Sequence, residues 1–139
     1  MCKSNGGNEI MEKILAVYGE SNTGKTTVIN EIYNVLLQKG AIVKVSKRKI
    51  GENPYDFYGV LEYNKKTVSF LSMGDCRTIV DEFVTKYKRY DIFITALNKH
   101  FSCIGTVWLK NSDIICKFDK TSPTNADNLI VKKNVLSKI

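Results

Sequence analysis

Residues 13–40 read KILAVYGESNTGKTTVINEIYNVLLQKG, and the hydropathy period changes once within them. Ile14 to Tyr18 is a continuous apolar run that enters Gly19 directly, the pattern of a strand buried on both faces of a parallel sheet. From Lys25 onward Val28, Ile29, Ile32, Tyr33 and Leu36 recur at helical spacing, until Lys39-Gly40 supplies a basic last turn and a glycine stop. The stretch predicts a strand, a glycine-bounded loop and a helix.

Outward from it, strands and helices alternate. Ala41 to Ser46 is a second strand, followed by a polar segment, Lys47 to Asp56, that contains Pro54. Phe57–Tyr63 and Thr67–Met73 read as strands on either side of a hairpin turn at Asn64-Lys65-Lys66. After Gly74 a helix begins, with Asp75 as its N-cap and Ile79, Val80, Phe83, Val84 and Tyr87 as its buried stripe. Ile92–Leu97 and Ile114–Phe118 are further strands. Phe101–Lys110 reads as a short helix, and Ala126–Ile139, carrying Leu129, Ile130, Val135, Leu136 and Ile139, closes the chain as another. The expected fold is α/β: a mostly parallel sheet of five to six strands, one of them an antiparallel hairpin strand, with helices on both faces. Residues 13–139 form one domain in this reading, and 1–12 a loose tail.

Composition narrows the function classes. With 139 residues, 43% hydrophobic and 25% charged, the chain is ordinary globular material, and no apolar run approaches the ~20 residues of a bilayer span. A soluble, cytoplasmic protein with no membrane partner is expected. Cys2, Cys76, Cys103 and Cys116 form no Cys-x-x-Cys pair and have only His100 to share a metal, which argues against zinc and against a disulfide framework. The net charge of +7 comes from 18 lysines and only Arg48, Arg77 and Arg89; specific nucleic-acid readers lean on arginine forks.

Gly19-Glu20-Ser21-Asn22-Thr23-Gly24-Lys25-Thr26 fits G-x-x-x-x-G-K-[ST] at every fixed position, between an apolar strand and an amphipathic helix. The chain here resembles the P-loop NTPase superfamily. A loop with glycine at both ends can turn successive backbone N–H groups inward, at the positive end of the following helix, and hold phosphates there. The resemblance implies the three-layer fold of that superfamily, ATP or GTP as ligand, Lys25 against the β and γ phosphates, Thr26 on Mg²⁺, and Thr27 at the α-phosphate. It also implies a metal carboxylate at the end of a neighbouring strand, for which Asp75, after Val68–Met73, is the first choice; Glu20 is a second candidate, for orienting water. Asp91 and Asp113 begin strands and belong at the opposite end of the sheet. For transition-state charge the candidates are Arg77, two residues beyond Asp75, and Arg48, just past the second strand; Arg89 is better explained by a helix dipole.

The branch is less legible than the superfamily. Asn98-Lys99-His100-Phe101 imitates a guanine-reading Asn-Lys-x-Asp but lacks the acid that accepts the guanine N–H donors. Residues 25–47 look like the same region of adenylylsulfate kinases and of molybdopterin-guanine dinucleotide biosynthesis B-type proteins, a likeness that covers Ile14 to Lys47. Two functions compete: an enzyme that passes a γ-phosphoryl group to water or to a small acceptor held by the segment Lys47 to Tyr58, whose Tyr55, Phe57 and Tyr58 suit stacking, and a nucleotide-dependent switch or assembly module, with a protein partner, whose slow hydrolysis only reports its state. A nucleic-acid-associated ATPase is a variant resting on the +7 charge alone.

Overall fold

The computed structural model describes residues 13–20, 23–50, 55–72, 91–98 and 115–139, and in it the apolar run forms the middle of β1 (Lys13–Gly19). Ile14, Leu15, Ala16 and Val17 are fully buried. Their position explains the unbroken apolar pattern: β1 lies between β5 (Ile92–Asn98) and β6 (Ile115–Asp119), parallel to both.

Helix α1 (Lys25–Gln38) follows and buries Val28, Ile29, Ile32, Tyr33 and Leu36, the stripe read from the sequence. Gly40, at φ 97°, ends it: its N–H donates to Leu37 O, and that of Ala41 donates to Leu36 O, the paired bonds of a Schellman stop. Strand β2 (Ile42–Lys49) runs three residues beyond the expected Ser46. Strands β3 (Phe57–Tyr63) and β4 (Lys66–Leu71) form the hairpin, and its turn is the two residues Asn64 and Lys65, at φ 52° and 65°. Both central residues are left-handed, as a type I′ turn requires, and Lys66 therefore pairs with Tyr63 in the ladder instead of sitting in the turn.

Among the described residues the sheet has six strands in the order β2-β3-β4-β5-β1-β6. Five run one way and β3 alone runs against them. The fold is thus α/β with a mixed sheet; the described residues hold two helices, α1 and α2 (Asn125–Leu136). Both contribute to one core cluster, with Leu15 and Val17 of β1, Val68 and Phe70 of β4, and Ile92 and Ile94 of β5. Tyr33, Phe57 and Phe70 form an aromatic trio in it, Tyr33 standing edge-on to the other two at centroid distances of 5.3 and 5.2 Å. The residues of the other face, including Ile14, Ala16, Val60, Leu71, Phe93 and Leu97, are buried as well.

Two points differ from the sequence reading. Helix α2 ends at Leu136, short of Ile139, and of its apolar residues Val131 and Val135 are buried whereas Leu129 and Ile130 are more than half exposed. β4, which leads toward Asp75, is not the neighbour of β1, because β5 lies between them. The tail 1–12, the helix expected from Asp75 with Cys76, Arg77 and Arg89, the segment Phe101–Lys110, and Asp113 lie outside the described residues, as do Ser21 and Asn22 of the loop.

Candidate functional site

The loop from β1 to α1 is built on two glycines. A Cβ at Gly19 would stand 2.3 Å from the Lys120 carbonyl oxygen, so nothing larger fits against the backbone that follows β6. Gly24 is the N-cap of α1 at φ 91°, a conformation that favours glycine. It brings no side-chain cap, and the first turn of α1 carries no acid. Thr23 Oγ1 donates to Glu20 O at 2.7 Å, closing the loop on itself. Lys25 is buried, and its Nζ donates to Glu20 O at 2.6 Å and to Gly19 O at 3.2 Å. The ammonium thus lies folded back along the loop, at the positive end of the helix. Glu20 and Thr27 are exposed.

Next to the loop stands a carboxylate that sequence reasoning passed over. Thr26 Oγ1 donates to Asp56 Oδ1 at 3.3 Å, and Ser72 Oγ donates to the same oxygen at 3.3 Å. Asp56 is 9% exposed. Its place follows from strand direction: β3 runs antiparallel, so the residue before it lies at the end of the sheet where β1, β4 and β5 finish. The Phe57 N–H donates to Ser72 Oγ and the Ser72 N–H to Phe57 O, pinning the start of β3 to the end of β4. In sequence Asp56 ended a polar segment with no periodicity; the one available signal was its position directly before an antiparallel strand.

A polar chain leads from the same turn of α1 to the sheet edge. Asn30 Nδ2 donates to Thr26 O at 2.9 Å and to Tyr55 O at 3.2 Å, while Lys47 Nζ donates to Asn30 Oδ1 at 2.7 Å. Lys47 also sits over the rings of Phe57, at 4.4 Å, and Tyr33, at 5.1 Å; burial pulls its pKa below the usual lysine value. The three candidate stacking aromatics separate: Phe57 is a core residue, Tyr58 is half-buried, and Tyr55 is exposed. Arg48 lies within β2, not beyond it, with its guanidinium 5.9 Å from the Tyr58 ring. Asp91 is at the start of β5, the opposite end of the sheet as expected, where Oδ2 accepts the Thr67 N–H.

The other wall of the loop comes from the chain after β6. The Lys120 N–H donates to Tyr18 O at 2.7 Å, extending the β6 ladder alongside β1. Its side chain is fully buried and ion-paired to Asp127 at 2.7 Å, and it also donates to Ser122 O. Asp127 accepts the N–H groups of Thr121 and Ser122 as well, in the first turn of a helix capped by Thr124. The hydrogen bond from Lys120, aided by those backbone amides, holds the Asp127 carboxyl below its ordinary range against the opposing effect of burial. Asn128 Oδ1 and Lys120 Nζ are the side-chain atoms that a Cβ on Gly24 would meet, at 3.1 and 3.3 Å.

Comparison with known protein families, with curated proteins and with solved structures gives no match. The site therefore stands on its chemistry. A helix start with no acid in its first turn, next to a lysine ammonium, favours an anion. A hydroxyl and a carboxylate side by side are hard oxygen donors of the kind Mg²⁺ takes, along with phosphate and water.

Proposed function

We propose that loop 19–26 binds a nucleoside triphosphate, ATP or GTP, with Mg²⁺, and that the chain hydrolyses it or transfers its γ-phosphoryl group, on the three-layer P-loop NTPase fold that the motif implies. The observation that carries this reading is the contact between Thr26 Oγ1 and the buried Asp56 carboxylate. It places a hard-oxygen pair beside the helix start whose sequence, Gly24-Lys25-Thr26, fits the motif.

In this reading the N–H groups of the loop and of the first turn of α1 hold the phosphates. Lys25 leaves the carbonyls of Gly19 and Glu20 for the β and γ oxygens, and its charge offsets the negative charge there. Thr26 and Asp56 would hold Mg²⁺, which on binding neutralises phosphate charge and orients the leaving group. Asp75, the first choice from the sequence, stays a candidate carboxylate along with Asp56. During transfer a bond forms between the acceptor oxygen and the γ-phosphorus while the bond to the β-γ bridging oxygen breaks, leaving a nucleoside diphosphate. The acceptor's proton passes to solvent or to the transferred phosphate. Arg77 is kept as a candidate for transition-state charge, and Lys47 joins it as a cation on the Asp56 side of the loop.

One observation favours the switch reading beside the enzyme reading. The chain Thr26–Asn30–Lys47 connects the turn that would sense the metal to the edge strand β2. A shift of Thr26 on nucleotide binding would be felt at that edge, where a protein partner can read it.

The test is a thermal-shift series with ATP, GTP and their diphosphates, with and without Mg²⁺. A ligand at about a hundred times its Kd stabilises the fold by roughly 2.7 kcal/mol, which is several degrees for a chain this size. A Mg²⁺-dependent rise with a triphosphate is expected; no rise with any of them overturns the reading.

A further inference from the structure

Strand β2 stands apart from the rest of the sheet. It is the edge of the sheet, paired only with β3 among the described residues. Of its eight residues only Val45 is half-buried, and the other seven are exposed. Two of the exposed residues are apolar, Ile42 at 58% and Val43 at 46%. Four are cations, Lys44, Lys47, Arg48 and Lys49, and none is an anion.

Lysine on an edge strand commonly serves to prevent pairing. Here three of the four cations have contacts within the fold: Lys44 is ion-paired to Glu62 of β3, Lys47 reaches back to Asn30 and the aromatic rings, and Arg48 stands 5.9 Å from the Tyr58 ring. The register with β3 slips between Val43 and Val45 and again between Val45 and Arg48, which leaves two regular stretches. One ends on the apolar pair Ile42-Val43. The other carries the cations Arg48 and Lys49.

We propose that the β2 edge is a docking site for an extended acidic peptide segment of a partner protein, added to the sheet as a further strand. Main-chain groups along β2 supply the hydrogen bonds of strand addition, Ile42 and Val43 take apolar side chains, and Arg48 and Lys49 take carboxylates. The five steps of β2 from Val43 to Arg48 lie opposite only three of β3, Leu61 to Tyr58, so the apolar and cationic ends are about 10 Å apart at ~3.3 Å per residue, and the segment carries its acids about three residues from its apolar positions. A second copy of β2 is the wrong occupant, because it would bring four more cations against these four. A nucleic acid satisfies the cations but leaves the apolar pair and the main-chain groups unused. The surface does not depend on the nucleotide reading.

The probe is a fluorescein-labelled peptide with a run of glutamates at one end and alternating valine and threonine at the other, together with the same peptide in reversed order. Anisotropy at physiological salt is combined with amide hydrogen exchange of the full chain. Binding of one order, slower exchange within residues 42–49, and at least about tenfold weaker binding by the Arg48→Glu, Lys49→Glu double variant are expected. Ile42→Thr, an exposed change that spares the fold, lowers affinity by about threefold or more through lost apolar contact. Equal binding by both variants, protection confined to other strands, no binding of either peptide, tighter binding of oligothymidylate, or self-association through β2 would each overturn the proposal.

Discussion

Thr26 and Asp56 are thirty positions apart in the chain and 3.3 Å apart in space, hydroxyl to carboxylate. The contact exists because α1 leaves the end of β1 while β3 enters the sheet at that same end, running against its neighbours. On the proposed function it sets the metal requirement. Asp56→Asn keeps the size of the side chain and its contacts with Ser72 but removes the charge. The Mg²⁺-dependent part of the thermal shift with ATP is expected to vanish while a smaller Mg²⁺-independent part remains. Asp75→Asn, measured in parallel, is expected to change that part less.

Lys25 bonds to the carbonyls of Gly19 and Glu20 from a buried position. Charge-assisted hydrogen bonds are worth roughly 1.5–3 kcal/mol each. Lys25→Ala should therefore weaken ATP binding by about a hundredfold or more in titration calorimetry, with an unchanged circular dichroism spectrum. Undiminished affinity would sink the role given to Lys25.

Gly19 faces the Lys120 carbonyl oxygen so closely that a Cβ there would lie 2.3 Å from it. The obstacle is backbone, held by the bond from the Lys120 N–H to Tyr18 O, and it cannot swing aside. Gly19→Ala is expected to cost about 1–3 kcal/mol by overpacking, read as a lower urea midpoint. Gly40→Ala tests a different cause. It has open space around it but φ 97°, so its cost is the milder one of left-handed backbone, about 1 kcal/mol.

The Lys120–Asp127 pair predicts a limb of acid sensitivity. The folded protein holds the Asp127 carboxyl below its ordinary value, so its contribution is complete above about pH 4, the unfolded value, and is lost as pH falls through the lower folded one. Asp127→Asn leaves the fully buried Lys120 ammonium without its carboxylate and should cost about 3 kcal/mol near neutrality. The gap between wild type and variant in urea denaturation should then narrow as the pH is lowered into that window. A gap independent of pH would show that the pair does not titrate with folding.

In α2, Val135 is fully buried in the core cluster while Ile130 is 58% exposed. Val135→Ala should cost about 1.5–3 kcal/mol, whereas Ile130→Lys should stay within about 0.5 kcal/mol. Equal costs would mean that the helix is rotated from the orientation described.

Local periodicity made much of the fold legible. The run at Ile14–Tyr18, the stripe of α1, the stop at Gly40 and the hairpin at residues 57–71 each depend on interactions within a few residues, or on burial that marks every position of an element alike. Helix α2 was read less well. Its apolar residues are not spaced as one clean stripe, and packing against α1 selects Val131 and Val135 over Leu129 and Ile130. Strand β2 was read short because Lys47, Arg48 and Lys49 look like loop residues; an uncovered edge strand has no face that must be apolar.

The candidate site divides along the same line. Its loop is contiguous, so Gly19, Gly24, Lys25 and Thr26 could be named from spacing, because a turn of this kind needs those residue types at those intervals. Strand order and direction are not written in any short stretch: they come from which strands pair across the whole sheet. Only the tertiary structure could therefore put β5 between β1 and β4, bring Asp56 to Thr26, and seat Lys120 against the back of the loop.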